Sequence, residues 1–452
     1  MLVGFVLAWP VSPLHAQTLT AENQAADDVA VNDNEASTTE LDLLVAHALV
    51  VHPLIRAAVD RVEAARAAIR PAGARPDPML MAGVMNLPLS DPGFTDFMTM
   101  KTIGIGQVFP YPGKLGLRRR VAELELAASE ARLEAVRLAV AEEVKQAYYD
   151  LAFLDHALEV LQNNERLLAN LIQVTGARYG VGTGGQQDVL KARVEAARLA
   201  EEAVALMERR RAALARLNAA LYRPSETPVP APAVPTRIAR AAVADDAGEI
   251  LFTSATLGAR AADSPLPPLI ELQETAVRQN PMLQVQAMMI AAQAARAELA
   301  GKDYLPDFDV SLQYGQRDGR SDMISAIVSV PIPLQKGQKQ DLLVKEAEAE
   351  LSALQAERRA QANEIRSEVA EAYADLERER ARLALFVKSI IPQGRASLAS
   401  ATAGFQVGRN DFLTLLENQA TLYNYETEYH RSLTEFATRL ANLERIVGKE
   451  IL

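Results

Sequence analysis

The sequence predicts a mainly α-helical protomer, made from two copies of one unit, that supplies four membrane-type β-strands to a barrel closed by more than one chain. Three observations predict it. Ordered landmarks recur at offsets of 221 to 230 residues along the 452-residue chain, the mark of an internal repeat. From Gly113 to Arg223 no proline interrupts 111 residues dominated by Ala, Leu, Glu, Arg and Gln, which are strong helix formers. Segments on either side of residue 318 alternate apolar and polar residues with period two, as strands with one apolar face do.

Taken in order, the apolar run Leu2–Trp9 followed by Leu14-His15-Ala16 resembles a signal segment cleaved after residue 16. Residues 17–40 are polar, acidic and aperiodic, and read as a flexible leader. The first copy spans 41–223. It opens on a helix with an early X-Pro step, His52-Pro53, answered by Asn280-Pro281 in the second copy, 269–448. Pro-bounded extended segments follow, Arg75-Pro76-Asp77-Pro78 against Leu305-Pro306-Asp307. The strands Met79–Asn86 and Met98–Phe109 come next, around a loop at Leu87–Phe97, and the second strand runs into Pro110-Tyr111-Pro112. In the second copy Phe308, Val310, Leu312 and Tyr314 alternate with Asp309, Ser311 and Gln313, and a polar loop Gly315–Asp322 leads to Ile324, Ala326, Val328 and Val330. Long helices are expected near Leu115–Thr175 and Gln186–Tyr222, then Lys339–Gly404 and Asp411–Val447, with a kink at Pro392. Glycines between Gly176 and Gly185 break the first pair. Residues 224–268, holding eight of the 23 prolines, read as an extended surface linker, with room for a short element near Glu249–Thr253.

Strands of about 9–11 residues with one apolar face fit a membrane barrel. Four strands cannot close one, and open edges are not tolerated in lipid. At least about eight strands, hence two chains, are required; the pattern allows a dimer, a trimer or a larger ring. The alternative is a soluble antiparallel sheet in an α+β domain. Apolar positions on more than one side of the helices suit a bundle or tube better than a two-stranded coiled coil.

Composition narrows the function. No cysteine occurs, which excludes disulfides, thiolate metal sites and a lipid-modified cysteine. A net charge of −11 argues against a nucleic-acid partner. Five histidines and no paired carboxylates or nucleophile–base set leave no case for an enzyme or a cofactor; His47 and His52 make no metal site. The stretch Gly180-x-Gly182-x-x-Gly185 matches a dinucleotide fingerprint formally, but it follows a helix rather than a strand.

The paired turns read Tyr179-x-x-Gly182-(x)5-Asp188-Val189-Leu190 and Phe405-x-x-Gly408-(x)5-Thr414-Leu415-Leu416-Glu417. With the duplication, and with Gln107-Val108-Phe109-Pro110 before Gly113-Lys114, they resemble the TolC-like outer-membrane factors, in particular the cation and heavy-metal efflux branch. The resemblance covers about residues 40–450. It implies a homotrimer with a 12-strand barrel in the outer membrane of a Gram-negative bacterium. It further implies, below the barrel, a helical tube roughly 100 Å long that crosses the periplasm. It also implies a periplasmic adaptor and a proton-driven inner-membrane pump of the resistance-nodulation-division (RND) type, with passive conduction here. Substrates would be metal cations such as copper or silver; organic compounds are the alternative. An adaptor or a coiled-coil scaffold is the rival reading of the whole chain.

The resemblance places Tyr179, Gly182, Phe405 and Gly408 at the tip, where the adaptor docks and the tube narrows. Glu417 falls at a position that often carries a gating acid, and Thr414 at a second such position. Asp188 would hold neighbouring tips together, with Arg409 as its partner. The plainer reading is that Asp188, Asp411 and Glu417 solvate helix starts, with Asp411 as an N-cap. Gly182 and Gly408 supply the positive φ a tight turn needs. Finally, Met79, Met81, Met85, Met98 and Met100 lie within 22 residues. Thioethers suit Cu(I) or Ag(I), but lipid-facing or packed side chains are the simpler reading. Phe94, Phe97, Phe109, Tyr111, Phe308 and Tyr314 flank the strands as interfacial girdles would.

Overall fold

The computed structural model describes residues 40–452 except 90–93, 95, 231 and 244–265. The expected signal segment, nearly all of the leader, and the element near Glu249–Thr253 lie outside the described residues. Among the described residues no single helix is long and apolar enough to cross a membrane.

Both X-Pro steps are helix starts. Helix α1 (Glu40–Val51) gives way to α2 (Pro53–Gly73) at His52, whose Nδ1 accepts the Leu54 N–H at 3.2 Å. Asn280 does the same between α6 (Leu269–Gln279) and α7 (Pro281–Lys302), accepting from Met282 and Leu283 at 2.9 and 3.2 Å. Proline at the first helical position has no N–H to leave unpaired. His52 also meets Tyr222 edge-on at 4.9 Å.

The strands β1 (Met79–Met85), β2 (Met100–Phe109), β3 (Phe308–Gln316) and β4 (Met323–Ser329) form one antiparallel sheet in the order β1-β2-β3-β4. The β2–β3 pairing, from Lys101↔Gln316 to Phe109↔Phe308, joins the two halves of the chain. Directly opposed residues share a face, so the register sorts the side chains. Leu80, Ile105, Leu312 and Ala326 form one rung, and Ala82, Ile103, Tyr314 and Ile324 the next. This apolar face is exposed on the protomer, with Leu80 and Ile324 each more than 70% accessible. The opposite face carries Thr102, Asp309, Ser311, Gln313, Ser325 and Ser329, four glycines and no Lys or Arg. Phe109 and Phe308 pair at the helix end of the sheet, while Phe94 and Phe97 lie at the hairpin end under Lys101 and Arg320.

From the sheet the chain enters α3 (Lys114–Gly180), 67 residues and therefore about 100 Å long, and α4 (Gln186–Ala220). The second half runs α8 (Gln340–Leu385), a π-helical turn (Phe386–Ile390), α9 (Ile391–Gln406) and α10 (Phe412–Val447). Where a kink is expected at Pro392, the helix makes this π turn. Ile391 N–H reaches back to Phe386, and the extra residue accommodates the proline that follows. The linker, expected from its prolines to be extended, is not so throughout. Thr236–Val243 forms α5, because Ile238, Ala241 and Ala242 share one helical face and are buried.

A continuous core follows α3, with Tyr149, Leu151, Leu161 and Leu168 packing with Val369 and Leu376 of α8 and Phe436, Leu440 and Leu443 of α10. Polar ties between distant segments fix its register. Gln419 donates to Asn164 at 2.9 Å, Tyr423 donates to Glu202 at 2.8 Å, and Lys145 pairs with Glu444 at 2.7 Å. At the sheet–helix junction the buried Lys114 ammonium bridges Asp303 (3.1 Å) and Asp307 (3.0 Å), while Asp307 also accepts the Tyr111 N–H at 2.8 Å.

Between α3 and α10, His156 and His430 stack with ring centroids 4.6 Å apart. Burial, then the neighbouring His156, lowers the His430 imidazole to about 4 against the pull of Glu159. Its Nδ1 is buried without a partner. The unfolded chain accepts this proton near 6.5 and the folded chain only near 4, so stability falls as pH drops through that window. His430→Gln should flatten the dependence of the urea midpoint on pH between 6.5 and 4 in detergent. An unaltered slope would assign the acid sensitivity to other groups.

Candidate functional site

The far ends of the long helices meet in two turns of identical backbone construction. In the first, Gly182 N–H reaches Tyr179 C=O at 3.0 Å and Thr183 N–H reaches Arg178 C=O at 2.9 Å. In the second, Gly408 N–H reaches Phe405 C=O at 3.0 Å and Arg409 N–H reaches Gly404 C=O at 2.8 Å. This double bond pattern around a left-handed residue is the Schellman cap. Gly182 (φ +78°) and Gly408 (φ +74°) occupy the left-handed positions. A Cβ at either glycine would meet no atom closer than 3.6 Å, so backbone conformation, not space, requires them.

The side chains differ by an exchange. In the first turn Arg178 stands on the helix and packs over Gly184; in the second Gly404 stands on the helix and Asn410 packs over it. Arg178 then crosses to the other turn. It donates to the Phe405 carbonyl at 2.5 Å, and its guanidinium lies 4.6 Å from the Phe405 ring centroid. Phe405 and Phe412 are buried together, 5.6 Å apart, with Leu171, Ala192 and Leu415 in a small core of their own. Sequence reading missed Arg178, which sits one residue before the turn motif and has a glycine as its counterpart.

Asp411 is the N-cap of α10, accepting the Thr414 N–H at 2.9 Å. Hydrogen bonds from Thr414 hold its carboxyl below the usual range. Asp188 stands in the first turn of α4, where a carboxylate complements the helix dipole. Both acids line a recess of about 190 Å³ with Arg178, Phe405 and Gly408. Within the protomer no ion pair joins Asp188 to Arg409; the cation that enters this recess is Arg178. Tyr179 is half exposed on the outer rim. Glu417 lies elsewhere, on an apolar groove of about 490 Å³ between α4 and α10, beside Leu190, Lys191, Val194 and Leu413. Met98 belongs to the β1–β2 loop, its N–H donating to Asp96 at 2.8 Å. The other four clustered methionines lie on strands at the opposite end of the molecule from the tip.

An exposed apolar strand face, long paired helices and capped helical tips define an efflux conduit of the outer membrane. The chain belongs to the outer membrane efflux protein family, whose model matches residues 44–221 and again 272–449. It is 22% identical over 341 residues, 75% of this chain and 74% of the other, to the cobalt-zinc-cadmium resistance protein CzcC of Cupriavidus metallidurans. Among solved structures it is similar to CusC (TM-score 0.73, 16% identity, covering 91% and 92% of the two chains). VceC of Vibrio cholerae is similar too (TM-score 0.70, 20% identity, covering 91% and 96%). The protein is thus an outer-membrane channel, not an enzyme, with its helical part in the periplasm. Members of the family are trimeric channels that work with an adaptor and an inner-membrane pump.

Gly182→Ala and Gly408→Ala should each cost about 1–2 kcal/mol, the penalty of a left-handed L-residue, and lower the thermal midpoint in detergent. Asparagine at the same positions should restore part of the loss, since it tolerates this conformation. Equal midpoints for the alanine variants and the parent would show that the turns relax without cost.

Proposed function

We propose that three copies of this chain close a 12-strand barrel over a helical tube and form the outer duct of an RND-type efflux system for metal cations. The sheet carries this reading: one face is apolar, the other polar, and among the described residues no strand lies beside the outer edges of β1 and β4. Residues 41–223 and 269–448 act as two copies of one unit, each adding a hairpin to the wall and a helical pair to the tube, with 224–268 joining them.

Likeness to a cobalt-zinc-cadmium resistance protein supports metal ions as cargo. So does electrostatics. The net charge is −11, and the polar strand face bears Asp309 and no cation, a wall that does not repel positive ions. Export of organic compounds by the same channel type is the alternative. At the tip, Glu417, exposed in its groove, is the acid positioned to act on passing cations; Asp411 is already engaged as a cap. The tip turns around Tyr179, Gly182, Phe405 and Gly408 present the surface for an adaptor.

In planar bilayers, Glu417→Gln should shift the reversal potential under a KCl gradient toward lower cation preference, while conductance persists. An unmoved reversal potential would remove Glu417 from selectivity. Loss of the gene should lower tolerance to metal ions and leave tolerance to organic biocides unchanged; the opposite pattern would favour the organic alternative.

A further inference from the structure

Four of the clustered methionines stand on the face of the sheet opposite its apolar rungs. Met79 and Met81 stand opposite Gly106 and Gly104, Met85 opposite Met100, and Met323 opposite Gly315. Side-chain alternation puts these five thioethers on the polar face of the sheet. Leu, Tyr and most Ile and Val side chains of the strands occupy the other face. The direct cross-strand partners of these methionines on this face are largely glycines. Sequence proximity included Met98, which lies in a loop, and missed Met323, which pairing brings in from more than 220 residues away.

Two groups form. Toward the helices, the Met81 methyl lies 3.3 Å, and Asp309 Oδ1 3.9 Å, from the point where a Cβ on Gly106 would sit. That Asp309 oxygen is buried with no hydrogen-bond partner among the described residues. Toward the hairpin loops, the Met100 sulfur lies 2.8 Å from the corresponding point on Gly315. The direct partner of Gly315 is Met323, and the direct partner of Met100 is Met85. A Cβ there would force the Met100 sulfur to move. The four-residue step along the strand from Met81 to Met85 separates the groups by roughly 13 Å.

We propose that this face binds soft monovalent cations, Cu(I) or Ag(I), at two thioether steps along the pore wall: Met81 with Asp309, then Met85, Met100 and Met323. The proposal rests on the reading of the polar face as the lumen, and it narrows the cargo from metal ions to soft ones. Neutral thioethers select Cu(I) and Ag(I) over harder divalent ions. Successive weak sites let an ion enter and still leave. Each chain of a trimer would present the same two steps.

The test uses the full-length protein in detergent with silver nitrate in chloride-free buffer, followed by titration calorimetry, and potassium conductance in bilayers as a separate readout. Wild type should bind Ag(I) at two sites per chain and bind Zn(II) at least tenfold more weakly. Replacing Met79, Met81, Met85, Met100 and Met323 by Leu should weaken Ag(I) binding at least tenfold and leave potassium conductance in place. Gly315→Ala and Met100→Leu, each a single change, should remove the outer site alone, which keeps the test decisive if the fivefold variant fails to fold. Equal Ag(I) binding by wild type and the single variants, or no Ag(I) binding by a conducting wild type, overturns the proposal. Site-specific Ag(I) binding without potassium conductance would support the thioether sites and overturn the lumen reading beneath them.

Discussion

Everything above the helices depends on an unfinished sheet. Four antiparallel strands give two hydrogen-bonded hairpins joined at β2–β3, but β1 and β4 each turn an unpaired edge outward. In lipid each unsatisfied backbone group costs several kcal/mol, and the apolar face of this sheet belongs in lipid. Closure by further copies satisfies both edges at once. A soluble sheet with the same edges would instead need a covering element on its apolar face, and Leu80, Ile103, Leu312 and Ile324 are uncovered.

Closure of the sheet also dictates where the helices go. The β2–β3 ladder ends at Phe109↔Phe308, and immediately beyond it Lys114 is clamped between Asp303 and Asp307. That ion pair ties the start of α3 to the segment entering β3, so the two halves leave the membrane together. From this clamp α3 runs about 100 Å unbroken, while its counterpart is interrupted by the π turn before Pro392. The two arms meet again where Arg178 of one turn grips Phe405 of the other. The halves are therefore fastened at both ends and tied along the middle by Asn164–Gln419 and Glu202–Tyr423.

Much of this was legible in the sequence because it is written in local periodicity. The alternation from Phe308 to Tyr314, the proline-free helices, the X-Pro caps at His52 and Asn280, and the glycine turns at Gly182 and Gly408 all depend on residues a few positions apart. Most of what escaped depends on pairing across more than a hundred residues. Lys114 read as a lysine near a glycine, and only the fold brings Asp303 and Asp307 to it. Arg178 had no counterpart to mark it, because its partner turn carries Gly404. Asp188 and Arg409, matched by motif, form no ion pair with each other within the protomer. The face of Met81 and Met100 could not be assigned until the β1–β2 register was known, and Met323 could not be grouped with them at all.

The natural absence of cysteine gives a direct route to the central claim that separate chains complete the sheet. Ala82 in β1 and Ala326 in β4 are small residues on the apolar face of the two edge strands. Ala82→Cys combined with Ala326→Cys, or with cysteine at a neighbouring β4 position, should cross-link under oxidation in isolated outer membranes. The account predicts covalent dimers and trimers and nothing larger. A ladder extending beyond three chains, or monomers alone across the whole β4 series, would contradict closure of the barrel by three copies.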